Sequence, residues 1–312
     1  MLGDVAADAL GAVNTHEHLF QVSPLLPGDE LDDEAASGEE AASLRASGFD
    51  AMVDATPMGL ARDAEGLARI SAATGLGIVA TTGRHREAHY APGHPLHSWS
   101  REQLARRFAA DVADGMLRSD VSHDGPTARA PGGDVVRAGM LKGGIDYWRI
   151  SPFERTTLDA LAEAHRATGA PVMVHLEFCT AAHEVLDLLG AEGVRADRVL
   201  LAHADRDPDP GLHADLAARG AFLGYDGFAR PRSVSDAALL DLAERVLDAG
   251  AGDRVVLGGD VARRTRYLAY GGMPGLQYLG LRYLPRLRAR VGDAAVERML
   301  VANPARLLDL SR

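Results

Sequence analysis

The chain has a single cysteine, Cys179, among its 312 residues. One thiol can form no disulfide within the chain, and a cysteine-rich structural zinc site is excluded with it. No run of about 18 consecutive apolar residues occurs, so no segment reads as a membrane-spanning helix. Positive charge is also in short supply. Lys and Arg number 33 against 44 Asp and Glu, a formal net charge of −11. That balance disfavours non-specific binding to nucleic acid or to an anionic membrane surface, which leaves a small molecule as the expected partner. The opening Met-Leu-Gly-Asp-Val-Ala-Ala-Asp carries acids where a secretory leader has a basic region and an apolar stretch. A cytoplasmic protein is therefore expected. Short repeats and low-complexity linkers are lacking too, and a single domain over 1–312 is expected.

What is present is an ordinary globular composition, 46% hydrophobic and 25% charged. Short apolar runs recur at 11–16, 50–56, 76–82, 139–143, 171–176, 199–204, 221–226 and 254–259. They are nearly continuous rather than alternating, as parallel strands buried on both faces require. Between them, 101–114, 155–168, 180–190, 212–219 and 236–249 repeat apolar residues at spacings of three and four, the helical period. Gly169, Gly190, Gly220 and Gly250 follow four of these stretches as stop signals. Strands alternating with helices predict an α/β fold of βαβ units, and eight strands fit a (β/α)8 barrel. An open doubly wound sheet is the alternative, but its Gly-rich phosphate turn is missing after the first strand. That strand ends instead in Thr-His-Glu-His. Residues 22–42 read as a surface loop leading into a helix, and 84–100 as a long loop.

In a barrel the side chains at C-terminal strand ends converge on one mouth. The first strand ends in His16 and His18, whose spacing puts both on one face. The fourth contributes Lys142, the fifth His175, the sixth His203 and the eighth Asp260. Four imidazoles and a carboxylate form a nitrogen and oxygen donor set for metal. A lysine ammonium cannot bind a cation, but one buried among apolar groups near metal ions is driven toward its neutral amine. That amine can add carbon dioxide to give a carbamate, an anionic ligand able to bridge two ions. Eight of the twelve histidines lack such a placement. His165, His183 and His213 fall in helical stretches and read as surface or helix-end residues. His85, His89, His94 and His97 lie in a loop over the mouth, where contact with substrate is open.

The segments GDVAADALGAVNTHEHLF, VDATPMGLARD, GMLKGGIDYWRISPFER, ATGAPVMVH, LAHADRDPD, LGYDGFAR, LGGDVARR, AYGGMPGLQYL and NPARLL resemble the phosphotriesterase-like branch of the amidohydrolase superfamily. They are especially similar to lactonases acting on phosphorylated sugar lactones. The resemblance implies a (β/α)8 barrel with two divalent ions, zinc first, with manganese, cobalt or nickel also acceptable. It implies that His16, His18 and Asp260 hold the buried ion, that His175 and His203 hold the more exposed one, and that Lys142, carboxylated by carbon dioxide, bridges them. It also implies a homodimer. Departures fall at Asn14-Thr15, Phe178-Cys179 and Arg266-Tyr267, which leave the metals alone and bear on substrate identity.

The expected function is therefore a binuclear metal-dependent hydrolase, a lactonase or carboxylic ester hydrolase that uses a metal-bridging hydroxide. Asp260 would accept the proton and pass it outward through His203 and Asp205. The Arg-rich loops after the seventh and eighth strands lie where barrels often bind phosphate. Arginine suits anion contacts there, the resemblance to the lactonases implies Arg232 and Arg263 as the ones that hold a substrate phosphate, and Tyr147 is a candidate pocket wall. Hydrolysis of a phosphotriester or an amide by the same centre is the alternative, and a non-catalytic metal-containing binding protein is a third reading.

Overall fold

All eight apolar runs form strands in the computed structural model, which describes residues 1–230 and 232–310. They are β1 (Val13–Glu17), β2 (Ala51–Asp54), β3 (Gly77–Gly83), β4 (Ala138–Ile145), β5 (Val172–Leu176), β6 (Val199–Ala202), β7 (Phe222–Tyr225) and β8 (Val255–Leu257). Each pairs in parallel with the next in one sheet ordered as the sequence is. The Thr15 hydroxyl donates to Leu257 O at 2.9 Å across the seam between β8 and β1, and the Asp260 amide donates to His16 O at 2.8 Å. The sheet thus rolls into a single-domain (β/α)8 barrel. Burial on both faces accounts for the unbroken apolar runs: every residue of β1, β2 and β5 to β8 is buried.

The helices on the outside are α1 (Glu34–Ala46), α2 (Ala64–Thr74), α3 (Arg101–Ala113), α4 (Pro152–Thr168), α5 (Ala182–Ala191), α6 (Pro210–Ala218), α7 (Asp236–Asp248) and α8 (Leu284–Val291). Side chains of Asp33, Asp63, Ser100, Ser151, Asp209 and Ser235 cap six of their N-termini. Such a cap contributes about 1 kcal/mol by satisfying amides that have no partner in the helix. Gly169 ends α4 in the left-handed region, as a stop signal should. Gly190 does not stop α5, which runs on to Ala191; Gly193, at φ +87°, takes the turn instead.

Two apolar shells make the core. The barrel interior is filled by a layer that includes Val13, Val53, Met140, Met173, Leu200 and Val256, closed from below by Leu307 and Leu308 of the last helical turn. The larger shell lies between strands and helices. A cavity of about 960 Å³ sits between the two chain ends, lined by Met1, Val5, Ile78 and Leu310 among others, away from the cluster of histidines. Along β4 and β5 the period of two carries Met140 to Lys142 and Met173 to His175, so the polar layer stands one step above the apolar one.

The long loop after β3 is pinned rather than free. Arg84 is 1% exposed, and its guanidinium donates to Thr157 Oγ1 at 2.8 Å, Leu96 O at 2.7 Å and Phe153 O at 2.6 Å. It also lies 3.4 Å from the centre of the Phe153 ring. The loop is thereby tied to α4 while it crosses the mouth.

Candidate metal centre

His16 and His18 reach the barrel interior through an irregularity. The register of β1 against β2 shifts between Asn14 and Glu17. Strict alternation from the inward Val13 would turn His16 outward, whereas the extra residue re-aims it. Nε2 of His16 and Nε2 of His18 then lie 3.7 and 3.6 Å from Asp260 Oδ1. Three donors each about 2.1 Å from one tetrahedral ion are about 3.4 Å apart, so this set fits a single divalent cation. The outer nitrogens are engaged: His18 Nδ1 meets Thr56 Oγ1 at 2.7 Å, and His16 Nδ1 meets Asp226 Oδ2 at 3.0 Å. All three donors are buried.

A second pair stands beside the first. His203 Nε2 lies 2.8 Å from His175 Nδ1, while the far nitrogens meet Asp226 Oδ1 at 2.6 Å and Glu177 Oε1 at 3.0 Å. Burial, the largest cause, holds all four imidazoles below their ordinary pKa, with His203 at about 3. Neutral rings are what metal ligation requires. His203 and Asp260 adopt φ of 62° and 42°, the left-handed region that costs a non-glycine residue about 1–3 kcal/mol.

Lys142 is fully buried beside the first group. Its Nζ is 3.3 Å from His16 Nε2 and 2.9 Å from the Met173 sulfur. Among the described residues it forms no salt bridge. Burial lowers its pKa to about 8, against an upward pull from Asp260 and Asp226. An amine that loses its proton so readily suits carbamate chemistry, and the groups beside it that could hold an ion are His16, His18 and Asp260, and His16, His203 and Asp226.

Asp226 was missed by sequence reasoning. Its two oxygens each hold the outer nitrogen of one histidine, His16 or His203, and it also accepts the His203 amide at 3.2 Å. This fixes both rings with Nε2 free to ligate. Burial pushes its carboxyl up, but His203 and His16 outweigh that and hold it below its ordinary value. The available signal was position, since Asp226 ends the seventh strand run as His203 ends the sixth. Asp205 stands one step behind, accepting the amides of Asp226 at 3.0 Å and Gly227 at 2.8 Å. Burial and the Asp226 charge raise it to about 7. The outer nitrogen of His203 therefore meets Asp226, with Asp205 holding the Asp226 backbone.

The arginines divide into two sets. Arg230 donates to Asp260 Oδ2 at 2.6 Å, and Arg206 stands 3.4 Å from the same oxygen. Arg266 donates to the carbonyls of Asp260 and Val261, both at 3.3 Å. Arg263 is exposed and held by Asp29 at 3.2 Å, and Arg232 is exposed. The two predicted anion contacts thus lie at the rim, while Arg206 and Arg230 are the ones brought to the centre. Tyr147 is 58% exposed and meets the Phe178 ring edge-on at 6.1 Å. His213 is fully buried, not superficial: its Nδ1 is bonded to the Tyr225 hydroxyl at 2.5 Å and its Nε2 to Ala204 O at 2.9 Å, which braces the turn after His203. His183 is exposed, and His165 is half-buried.

Comparison with known proteins gives a consistent outcome. The sequence profile of the phosphotriesterase family matches residues 1–308. A phospho-furanose lactonase of Mycoplasmopsis synoviae is 26% identical over 99% of this chain and 90% of its own. The crystal structure of a lactonase from Listeria monocytogenes superposes with a TM-score of 0.88 at 28% identity, over 99% of this chain and 98% of its own. The phosphotriesterase homology protein of Escherichia coli, crystallised with phosphate in its active site, superposes with a TM-score of 0.83 at 27% identity. That superposition covers 96% of this chain and 99% of the other.

Proposed function

The chain belongs to the phosphotriesterase family, and from that membership we propose that it is a binuclear metal-dependent hydrolase acting on a lactone or another carboxylic ester. The observation that carries this reading is the convergence of His16, His18 and Asp260 on one side, and His175 and His203 on the other, with the Lys142 amine beside them. Two divalent ions held there supply Lewis acidity and an acidified water.

The chain's own residues do the rest. Lys142, carboxylated, bridges the two donor groups. Asp260 keeps one oxygen toward His16 and His18 and turns the other toward Arg230 and His203, 3.8 Å from His203 Nδ1. Ionised well below the ordinary range, it can take a proton as a substrate is attacked. His203 and Asp226 form the next hydrogen bond outward, with Asp205 behind them. Arg206 and Arg230 give the floor positive charge, and Arg232 and Arg263 at the rim suit an anionic or phosphorylated substrate. Tyr147 stands ready to form one wall.

The test is a hydrolysis panel run with metal analysis. Sugar lactones, phosphorylated lactones, acyl-homoserine lactones, N-acyl amino acids and paraoxon-type esters are compared on the same preparation. Lactones are expected to be hydrolysed with about two divalent ions per chain. Activity with one ion or none would sink the binuclear proposal, and turnover confined to phosphotriesters would replace the ester reading. Phosphorylated lactone turnover unchanged in Arg232→Ala and Arg263→Ala would reject the rim arginines as anion contacts. Asp260→Asn is expected to lose turnover by a larger factor than it loses metal.

A further inference from the structure

Two buried histidines beside the centre take no part in the donor set. His85 and His89, in the loop after β3, are 5% and 6% exposed, with ring centres 3.9 Å apart. The His85 ring lies 4.7 Å from that of His175.

The orientation of His85 is locked. Its backbone amide donates to the Tyr90 hydroxyl at 2.8 Å, which donates in turn to Met58 O at 2.9 Å. Its Nδ1 accepts the backbone N–H of Arg86 at 2.8 Å. An amide can only donate, so Nδ1 carries the lone pair and the single proton of the neutral ring sits on Nε2. Gly144 makes this seating possible. A Cβ there would stand 3.2 Å from His85 Nδ1, 3.0 Å from the Arg86 amide and 3.3 Å from His175 Cβ, tighter than such contacts normally are. The imidazole is thus held against β4 and beside His175. Lys142 and His18 are near enough to act on the ring electrostatically. Yet among the described residues Nε2 has no hydrogen-bond partner. The 5% exposure of His85 leaves this nitrogen open rather than sealed, so a donor fixed in orientation by these contacts is available to an acceptor that arrives from outside the chain.

We propose that His85 is a catalytic residue, donating its Nε2–H hydrogen bond to the carbonyl or phosphoryl oxygen of a substrate held beside His175. The inference rests on the hydrolase reading. No proton changes hands. The bond strengthens as negative charge develops on that oxygen, and the donor is already in place, so no reorganisation is needed at the moment of reaction. His89 backs the ring, with its Nδ1 anchored to Ser23 Oγ at 3.0 Å. The protonated Nε2 offers no lone pair to a metal, and turning the ring over would cost the Arg86 bond.

The test compares His85→Phe, which keeps a planar ring without the donor, with His85→Gln, whose amide restores a donor near Nε2. Both are prepared as metal-loaded protein. His85→Phe is expected to keep its metal content and melting temperature. It should lose about 10²–10³-fold in kcat, the usual consequence of removing one such donor, with a smaller change in KM. His85→Gln should recover at least tenfold of that loss. Inorganic phosphate, titrated calorimetrically, should bind His85→Phe at least tenfold more weakly than wild type. Turnover of His85→Phe within threefold of wild type would overturn the assignment. Loss of metal from His85→Phe would make the residue a support of the centre, which also overturns it. If the wild-type protein hydrolyses nothing in the panel, the hydrolase reading fails by itself. The phosphate titration still decides His85 in that case, since equal affinity in wild type and His85→Phe removes the donor role.

Discussion

Replacing Asp226 by Asn tests the reading of the centre at the carboxylate that joins the outer nitrogens of His16 and His203. The carboxylate offers one oxygen to His203 Nδ1 at 2.6 Å and the other to His16 Nδ1 at 3.0 Å and to the His203 amide at 3.2 Å. Asparagine has the same shape but only one acceptor. If its oxygen stays with His203, its NH2 group faces two donors, the His16 N–H and the backbone amide. His16 escapes this clash by moving its proton to Nε2, which removes the lone pair aimed between His18 and Asp260. The opposite amide orientation does the same to His203. Either way one ion loses a ligand in its correct tautomer. Loss of a partner of this kind weakens metal binding by about 10–100-fold, or about 1.4–2.8 kcal/mol. The appropriate assay is chelator competition on apoprotein, with elemental analysis of the loaded protein and a thermal melt to verify folding. One of the two ions should bind 10–100-fold more weakly, and turnover should recover in part when metal is raised in proportion. A folded Asp226→Asn protein that binds both ions within threefold of wild type would refute the argument that this carboxylate sets the two tautomers.

Other expectations follow from the same contacts. Burial lowers the Lys142 pKa to about 8 from its ordinary 10.5, so between these values the unfolded chain binds more protons and apoprotein stability rises with pH. Urea titrations of apoprotein and Lys142→Met should therefore diverge by roughly 3 kcal/mol from pH 8 to 10.5, and a parallel pH response would contradict it. Carbon-13 bicarbonate should also give a carbamate resonance, growing as pH rises through 8, that Lys142→Met lacks. Arg84→Met leaves the Leu96 carbonyl without its donor, while Phe153 O keeps the Thr157 hydroxyl, and should cost about 1–3 kcal/mol in urea unfolding. Proteolysis should then concentrate in 85–97, and an unchanged urea midpoint would count against the pin. Gly259→Ala places a Cβ 1.9 Å from Glu17 Oε1. Glu17 is fully buried and bonded to Asn14 and to the Val261 amide, so it cannot simply step aside. The variant should lose affinity for the ion next to Asp260, and full metal content would show that the neighbourhood yields more easily than argued.

The fold was legible because a parallel strand buried on both faces leaves an unbroken apolar run, and because the Gly-rich turn of the doubly wound alternative was missing after the first strand. The principal donors were legible for a related reason: a histidine or lysine that ends such a run stands out against it. What stayed hidden depends on the third dimension. His-x-His says that two side chains share a face, but which face follows from the shift of register between Asn14 and Glu17, and that shift comes from the neighbouring strand. Asp226 ends the run 221–226, but nothing within that run says what its carboxylate meets. Its role exists only because His16 and His203 come within 3.0 Å of it from far away in the chain. The arginines make the same point in reverse. Local density drew attention to the two loops and the family resemblance to Arg232 and Arg263 within them, yet the seam contacts of β1 with β8 hand Arg263 to Asp29 at the rim. Arg206, inconspicuous in sequence, reaches Asp260 because it follows the left-handed turn at His203. Charge at a barrel mouth is therefore better sought within a few residues of each strand end than in the loops richest in basic residues, and on that criterion Arg206 ranks ahead of Arg232 as the guanidinium most able to sense what binds beside Asp260.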